Sequence, residues 1–319
     1  MRKLIAVVGP TATGKTALAV ALARAIDGEI VGADSRQVYR RLDIGTAKPT
    51  PDERALAPHH LLDVVDPDEP FSLAEYLELA TAALEDIWAR GRQPLLVGGS
   101  GQYVWALLEG WTVPRLPPQR ELRRSLEERA EREGAEALHR ELAHVDPQAA
   151  AGIDPRNVRR VIRALEVYQT TGRPISFWQE KAPPSWDTLV LGLACPRDEL
   201  YRRIDARVDG MMQAGLVDEV QGLLTMGYSR ELPSMSGIGY REVCQYLAGE
   251  LDLSAAAARI KTATHRLARQ QATWFRRDDP RIRWLDVSLG KSLERTVEAA
   301  GAFLGLGQCD HAMAKGGGL

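Results

Sequence analysis

Gly9-Pro10-Thr11-Ala12-Thr13-Gly14-Lys15-Thr16 has the spacing G-x-x-x-x-G-K-[ST], a pattern that cradles phosphate groups when a strand precedes it and a helix follows. Its glycines let the backbone turn tightly, so that successive N–H groups converge on phosphate oxygens. Lys15 puts a cation on the terminal phosphate, Thr16 offers a hydroxyl to Mg²⁺, and a helix starting here adds its partial positive charge. The competing reading is a glycine turn beside an incidental lysine. The complete pattern in its strand–helix setting outweighs that reading. The loop specifies a diphosphate or triphosphate group and leaves open what is attached to it.

A second set of reactive types follows in Glu29-Ile-Val-Gly-Ala-Asp34-Ser35-Arg36-Gln37-Val-Tyr39. A carboxylate at the carboxyl end of a strand beside the loop faces the ligand crevice of an open parallel sheet. There Asp34 is able to hold Mg²⁺ through water or to act as a general base on an acceptor. Ser35, Arg36 and Gln37 suit reading the edge of a base, with Tyr39 available for stacking. A plain polar loop, with Asp34 or Ser35 as a helix N-cap, explains the same residues equally well. The turn Gly98-Gly99-Ser100-Gly101 offers one more hydroxyl after another apolar run.

These residues need elements to hold them. Leu4–Val8 is continuously apolar up to Gly9, as expected of a strand buried on both faces of a parallel sheet. The alanine- and leucine-rich stretch Lys15–Ile26 predicts the helix after the loop, and Glu29–Val31 a second short strand. Ser72-Leu-Ala-Glu75 is a capping box that opens a helix running to about Arg90. Pro94–Val97 then predicts a buried strand ending at Gly98-Gly99. This strand–helix alternation predicts an α/β fold, a P-loop NTPase-like parallel sheet flanked by helices.

The pattern changes after Trp111. Val113–Pro118 is proline-rich, and from Gln119 to about Gln179 only charged helical pattern is present. The expected division is therefore a first part of the core over 1–113, an all-helical insertion over 114–187, a mostly helical second part over 188–304, and a glycine-rich disordered tail over 305–319. The second part predicts a strand at Thr188–Ala194, a helix from about Asp198 to Met226, another from Ser254 to about Arg276, and a strand at Ile282–Val287.

Composition narrows the function classes. The 319 residues carry a formal net charge of −2 with 26% charged residues, so any nucleic-acid binding must come from a local basic surface. The three cysteines are far apart and not in CxxC spacing, which supports neither a disulfide framework nor a zinc site and fits a reducing cytosol. No run approaches membrane-spanning length. His59-His60 lacks a third suitably spaced ligand and reads as structural. Trp105, Trp111, Trp178 and Trp274 read as core or hinge residues. The clearest basic element is Asp154-Pro-Arg-Asn-Val-Arg-Arg-Val-Ile-Arg163. Val158, Val161, Ile162 and Leu165 form its buried face, Arg156, Arg159, Arg160 and Arg163 a cationic stripe, and Asp154 its expected N-cap.

GPTATGKT, ADSRQVYRRLDIGTAKP, LLVGGSGQYVWALLEG, RNVRRVIRALEVYQTTGRP, SGIGYREV and RLARQQATWFR occur in this order. Together they resemble the bacterial tRNA dimethylallyltransferase (tRNA isopentenyltransferase) family, over nearly the whole chain to about Val287. The resemblance implies transfer of a dimethylallyl group from dimethylallyl diphosphate, with Mg²⁺, to N6 of the adenine just 3′ of the anticodon. It implies Asp34 as the base on the adenine amine and Ser100 near the diphosphate and the reacting carbon. Threonine is commoner at that position, and the hydroxyl is kept. It implies the Gly9–Thr16 loop and Arg207 as diphosphate ligands, although on residue type alone Arg207 reads as a solvated arginine. It implies contacts to the tRNA anticodon arm from Ser35, Arg36, Gln37, Gly101, Arg123, Arg159, Arg160 and Arg163, with Arg36 standing where methionine is frequent. A cytoplasmic monomer with no membrane contact is expected. A P-loop kinase of a small metabolite or nucleotide would share the loop and Asp34. An enzyme prenylating free AMP or ATP would need no arginine-bearing insertion, and an RNA-binding module without chemistry would need neither Lys15 nor Asp34.

Overall fold

The computed structural model describes residues 1–116, 119–179, 181–288 and 292–306. The expected tail lies outside these residues from position 307 on. The chain divides into two compact units, Met1–Val104 with Ser185–Leu319, and Trp105–Pro184.

The first unit is built on six parallel strands in the order β3-β2-β4-β1-β5-β6. They are β1 (Lys3–Val8), β2 (Gly28–Ala33), β3 (His59–His60), β4 (Gln93–Gly98), β5 (Asp187–Ala194) and β6 (Ile282–Asp286). The apolar run Leu4–Val8 is fully buried, as the central position of β1 between β4 and β5 requires. The helices of this unit are α1 (Lys15–Ala25), α2 (Pro51–Leu56), α3 (Leu73–Ala89), α9 (Arg197–Gln213), α10 (Leu216–Thr225), α11 (Tyr240–Leu247), α12 (Leu253–Trp274) and α13 (Ser292–Leu304), and α4 (Gly101–Glu109) begins in it. One core joins α1 and α13 to the sheet through Ile5, Val7, Leu22, Ile30, Leu95 and Leu191. Each such side chain contributes roughly 1.5–3 kcal/mol on burial. A second core gathers Val38, Leu42, Val220, Met235, Tyr240 and Ile260 from the 38–44 segment and α10–α12.

The second unit contains α5 (Arg120–Glu133), α6 (Ala135–Val145), α7 (Pro147–Gly152) and α8 (Val158–Thr171), followed by a 3-10 turn at Ile175–Gln179. Leu126, Leu138, Leu142, Val161, Ile162 and Leu165 form its core.

Several local expectations need correction. The helix predicted over 198–226 is two helices, because Gly215 adopts φ +96° and breaks the helix between α9 and α10. The late helix starts at Leu253, where Asp252 accepts the Ala255 N–H as N-cap. The N-cap of α8 is Asn157, whose side chain accepts from the Arg160 N–H, while Asp154 pairs with Arg156. The Ser72–Glu75 capping box is present with both reciprocal bonds.

Candidate active site

The loop after β1 leaves the sheet through Gly9 at φ +141°. A Cβ there would stand 2.5 Å from the Leu193 carbonyl oxygen of neighbouring β5. Ala12 (φ +64°) and Gly14 (φ +84°) complete the curl, and Gly14 caps α1 without a side-chain bond. The N–H groups of the first turn of α1 therefore remain directed at the crevice. Within the loop, Thr13 Oγ1 and Lys15 Nζ both donate to the Pro10 carbonyl, at 2.9 and 2.7 Å.

Three strand ends meet beside this loop. Asp34 follows β2, and the Gly98-Gly99-Ser100 turn ends β4, with Ala33 opposite Gly98 in the register. A Cβ on Gly98 would lie 2.1 Å from the Ala33 carbonyl, so only glycine permits this approach. Ser100 Oγ accepts the Ser35 N–H at 3.0 Å, and the Ser100 N–H bonds to the Ala33 carbonyl. Asp34 Oδ1 accepts the Arg36 and Gln37 N–H groups at 2.8 and 3.4 Å. Asp34 is thus both the polar loop's internal cap and a carboxylate with a second oxygen to spare.

The cavity here has a volume of about 310 Å³ and is lined by Lys15, Thr16, Asp34, Gln37, Arg207 and Gln271, among others. Burial, and then the charge of Arg207, lower the pKa of Lys15 to about 8. Arg207, on α9, donates to Thr11 Oγ1 at 3.4 Å, and crowding of its guanidinium by protein lowers its pKa as well. Neither cation has a carboxylate partner among the described residues. Half-buried Lys15 and exposed Arg207, neither bonded to a carboxylate among the described residues, face the open backbone amides across the cavity and make an anion site.

Sequence reasoning missed Gln271. This side chain, 8% exposed on α12, accepts the Thr11 N–H at 2.8 Å and donates to the Gly99 carbonyl at 3.1 Å. It thereby ties the glycine loop to the turn that carries Ser100. A Gln among arginines and alanines on an amphipathic helix carries no local signal of that role. Buried Lys48 was missed too. It donates to Asp43, Asp63 and the Tyr39 carbonyl at 2.6–2.7 Å. His60 bonds to Glu29 and His59 Nδ1 to the Ala57 carbonyl, and no group of three metal-ligating side chains exists among the described residues.

The remaining candidates are distributed as follows. Arg36 donates to the Pro233 carbonyl at 2.7 Å, and Gln37 to the Thr46 and Ala47 carbonyls. Gly101 packs under the side chain of Trp274, which is 39% exposed and so not a core residue. In the helical unit, Arg123 and Arg163 both clamp Glu166, whose carboxylate also accepts the Gln119 N–H. Burial pushes the Glu166 pKa up, but these hydrogen bonds outweigh it and leave the group below the usual carboxylate range. With Arg156 held by Asp154, the cations of the stripe without a carboxylate partner among the described residues are Arg159 and Arg160, both exposed.

Comparison with known proteins adds the following. The profile of the family described as IPP transferase matches residues 37–278, and that of Isopentenyl transferase residues 2–59. A tRNA dimethylallyltransferase of Roseiflexus sp. is 58% identical over 277 residues, which cover 87% of this chain and 91% of the relative. One from Chloroflexus aurantiacus is 59% identical, over 87% of this chain and 94% of that one. Among solved structures, the full-length tRNA isopentenylpyrophosphate transferase of Bacillus halodurans aligns with a TM-score of 0.71 at 40% identity, covering 96% of this chain and 97% of that one. A eukaryotic dimethylallyltransferase described as acting on tRNA aligns with a TM-score of 0.81 at 28% identity, over 96% of this chain and 80% of that one.

Proposed function

The chain belongs to the IPP transferase family, and from that premise we propose that it transfers the dimethylallyl group of dimethylallyl diphosphate to N6 of the adenine 3′-adjacent to the anticodon in tRNA, releasing diphosphate. The observation that carries this reading is a single cavity in which Lys15, Thr16 and Arg207 face a carboxylate, Asp34.

The bond broken is carbon–oxygen, with the whole diphosphate leaving. An allylic carbon tolerates positive charge in the transition state, so the protein's main tasks are to hold the departing anion and to align the nucleophile. Lys15, Arg207 and the first-turn amides of α1 do the first. Beyond the effect of burial, the charge of Arg207 lowers the Lys15 pKa further, so a diphosphate bound between them relieves that repulsion. Asp34 does the second. Its free oxygen accepts a hydrogen bond from the adenine amine, whose lone pair is conjugated into the ring, and then takes its proton. Ser100, whose Oγ already holds the Ser35 amide, keeps the two strand ends in register beside the reacting carbon.

The donor set fits Mg²⁺ of the substrate-carried kind. Thr16 offers a hydroxyl at the cavity wall, and with no group of three metal-ligating side chains among the described residues, most ligands would be diphosphate oxygens and water. When bound, the ion neutralises charge building on the leaving group. Ser35, Arg36, Gln37 and Gly101 around the cavity, and Arg123, Arg159, Arg160 and Arg163 on the helical unit, form the tRNA-facing set, with Arg159 and Arg160 the cations available to phosphates. Work as a monomer in the cytoplasm belongs to the same reading. Among the described residues, no helix is long and apolar enough to cross a membrane.

Incubation with Mg²⁺, labelled dimethylallyl diphosphate and undermodified tRNA tests this. Label entering tRNA is expected, and Asp34→Ala lowers the rate by about 10²–10⁴-fold while tRNA binding persists. ATP turnover, or label entering only free AMP or ATP, overturns it.

A further inference from the structure

Glu219 lies in the first turn of α10 and does not line the cavity. Its carboxylate nevertheless collects four donors. Oε2 accepts the N–H groups of Asp43 and Ile44 at 3.0 and 2.8 Å, and Oε1 accepts the Gly45 N–H at 3.3 Å and the Tyr240 hydroxyl at 2.6 Å. Three successive backbone amides converging on one carboxylate is anion-binding geometry, here filled by the protein itself. The approach is tight. A Cβ on Gly45 would stand 2.5 Å from Cε2 of Tyr240, whose side chain is 1% exposed.

The clamped segment leads directly to the site. Thr46 and Ala47, next in the chain, line the cavity, and their carbonyls accept both bonds of Gln37 Nε2, at 3.1 and 3.0 Å. With both amide hydrogens used, Gln37 has only its Oε1 to present to the cavity. Its backbone N–H in turn goes to Asp34 Oδ1. An unbroken chain of bonds therefore runs from Glu219 through the 43–47 segment and the Gln37 amide to the Asp34 carboxylate. It leaves two acceptor oxygens, Asp34 Oδ2 and Gln37 Oε1, on two residues that line the same cavity. Two acceptors fit a primary amine, which brings two N–H bonds.

We propose that Glu219 is a positioning residue for prenyl transfer: it touches no substrate, but by fixing the 43–47 segment it orients the Gln37 amide and the Asp34 carboxylate toward the accepting amine. This rests on the function proposed above. Without Glu219 the three amides lose their common acceptor, and the Thr46 and Ala47 carbonyls are held only by the turn's own bonds and the Lys48–Asp43 pair. The Gln37 amide is then free to turn its NH₂ toward the amine, opposing donor to donor. The diphosphate end, built from the β1–α1 loop and Arg207, shares none of these bonds.

The test is steady-state transfer by the full chain for the wild type, Glu219→Ala, Glu219→Gln and Tyr240→Phe, with amide hydrogen exchange on each. Glutamine cannot accept all four donors, and phenylalanine removes one. The expected result is a kcat lower by about tenfold or more in the Ala and Gln variants and about threefold in Tyr240→Phe, with the KM for dimethylallyl diphosphate within about twofold. Exchange of the Asp43, Ile44 and Gly45 amides accelerates, while that of Leu4–Val8 in β1 does not. Folded variants with accelerated exchange at 43–45 and a kcat within about twofold of wild type overturn the proposal, because the clamp is then only structural. So does a loss of activity wholly explained by a weaker diphosphate KM. If Glu219→Ala does not fold, the Gln and Phe variants decide. Failure of the wild type to prenylate tRNA removes the function itself, whereas a wild type that works beside unimpaired variants removes only the role of Glu219.

Discussion

The glycine-loop cavity and the α8 region of the helical unit both concentrate cationic side chains, and they use them in opposite ways. Around Glu166, which is fully buried, Arg123 and Arg163 converge on a carboxylate they neutralise. Around the loop, Lys15 and Arg207 have no opposite charge within bonding distance among the described residues, and both pKa values are depressed. The first arrangement is satisfied as it stands and holds a fold together. The second is satisfied only when an anion arrives. Charge content does not separate the two; the presence or absence of a buried counter-charge does.

The sharpest way to break this contrast is to remove one cation from each region. Lys15→Met is expected to lower transfer by about 10²–10³-fold without lowering thermal stability at neutral pH. The sign follows from the depressed value. Lys15 titrates near 8 in the folded chain against 10.5 when free, so the cost of its charge is fully present below pH 8 and disappears as pH rises towards 10.5. Between those limits the wild type gains stability relative to Lys15→Met, as thermal melts across pH would report.

Glu166→Gln should do the reverse. Stranding Arg123 and Arg163 costs about 2–4 kcal/mol, discounted because both arginines reach water at one edge. Denaturant titration reads this loss, and an unchanged midpoint would remove the structural reading of the clamp.

Glu29 supplies a second satisfied carboxylate for comparison. Hydrogen bonds from Arg90 first, then His60 and Arg92, outweigh burial and hold its pKa at about 2. Its contribution is present above pH 4.5 and is lost as pH falls towards 2. Acid denaturation of Glu29→Gln should therefore be flatter than that of the wild type across that window.

The smallest effect belongs to the exposed, unpaired Arg159 and Arg160. Arg160→Ala should weaken tRNA binding several-fold and reduce the slope of log affinity against log salt by about 1. Arg163→Ala should change the salt slope less and stability more, because its charge is already spent on Glu166. Equal salt slopes for the two variants would break the division between them.

Legibility in the sequence followed the range of the interactions. Leu4–Val8, the Gly9–Thr16 loop and the Ser72–Glu75 capping box depend on neighbours within a few residues, and all three form as read. The break at Gly215 was missed because a lone glycine in a helical pattern is usually tolerated, and its left-handed φ shows only in the folded chain, where the ends of α9 and α10 share one core. The Asn157 cap displaced Asp154 because the helix begins only at Val158, and Asp154 instead accepts the Arg156 N–H and pairs with its guanidinium in the preceding turn. Gln271 and Glu219 were invisible because their partners lie 260 and about 175 residues away in the chain.

By itself the sequence determined the strand–loop–helix that binds phosphate, the parallel sheet behind it, and the motif order that marks the family, since each rests on local backbone rules or on side-chain periodicity. Only the tertiary structure decided which charges are neutralised. Whether an arginine is a ligand or a strut depends on the carboxylate that folding brings within about 3 Å of it. Lys15 and Arg207 meet none, Arg123 and Arg163 meet Glu166, and nothing in their immediate neighbours distinguishes the two cases.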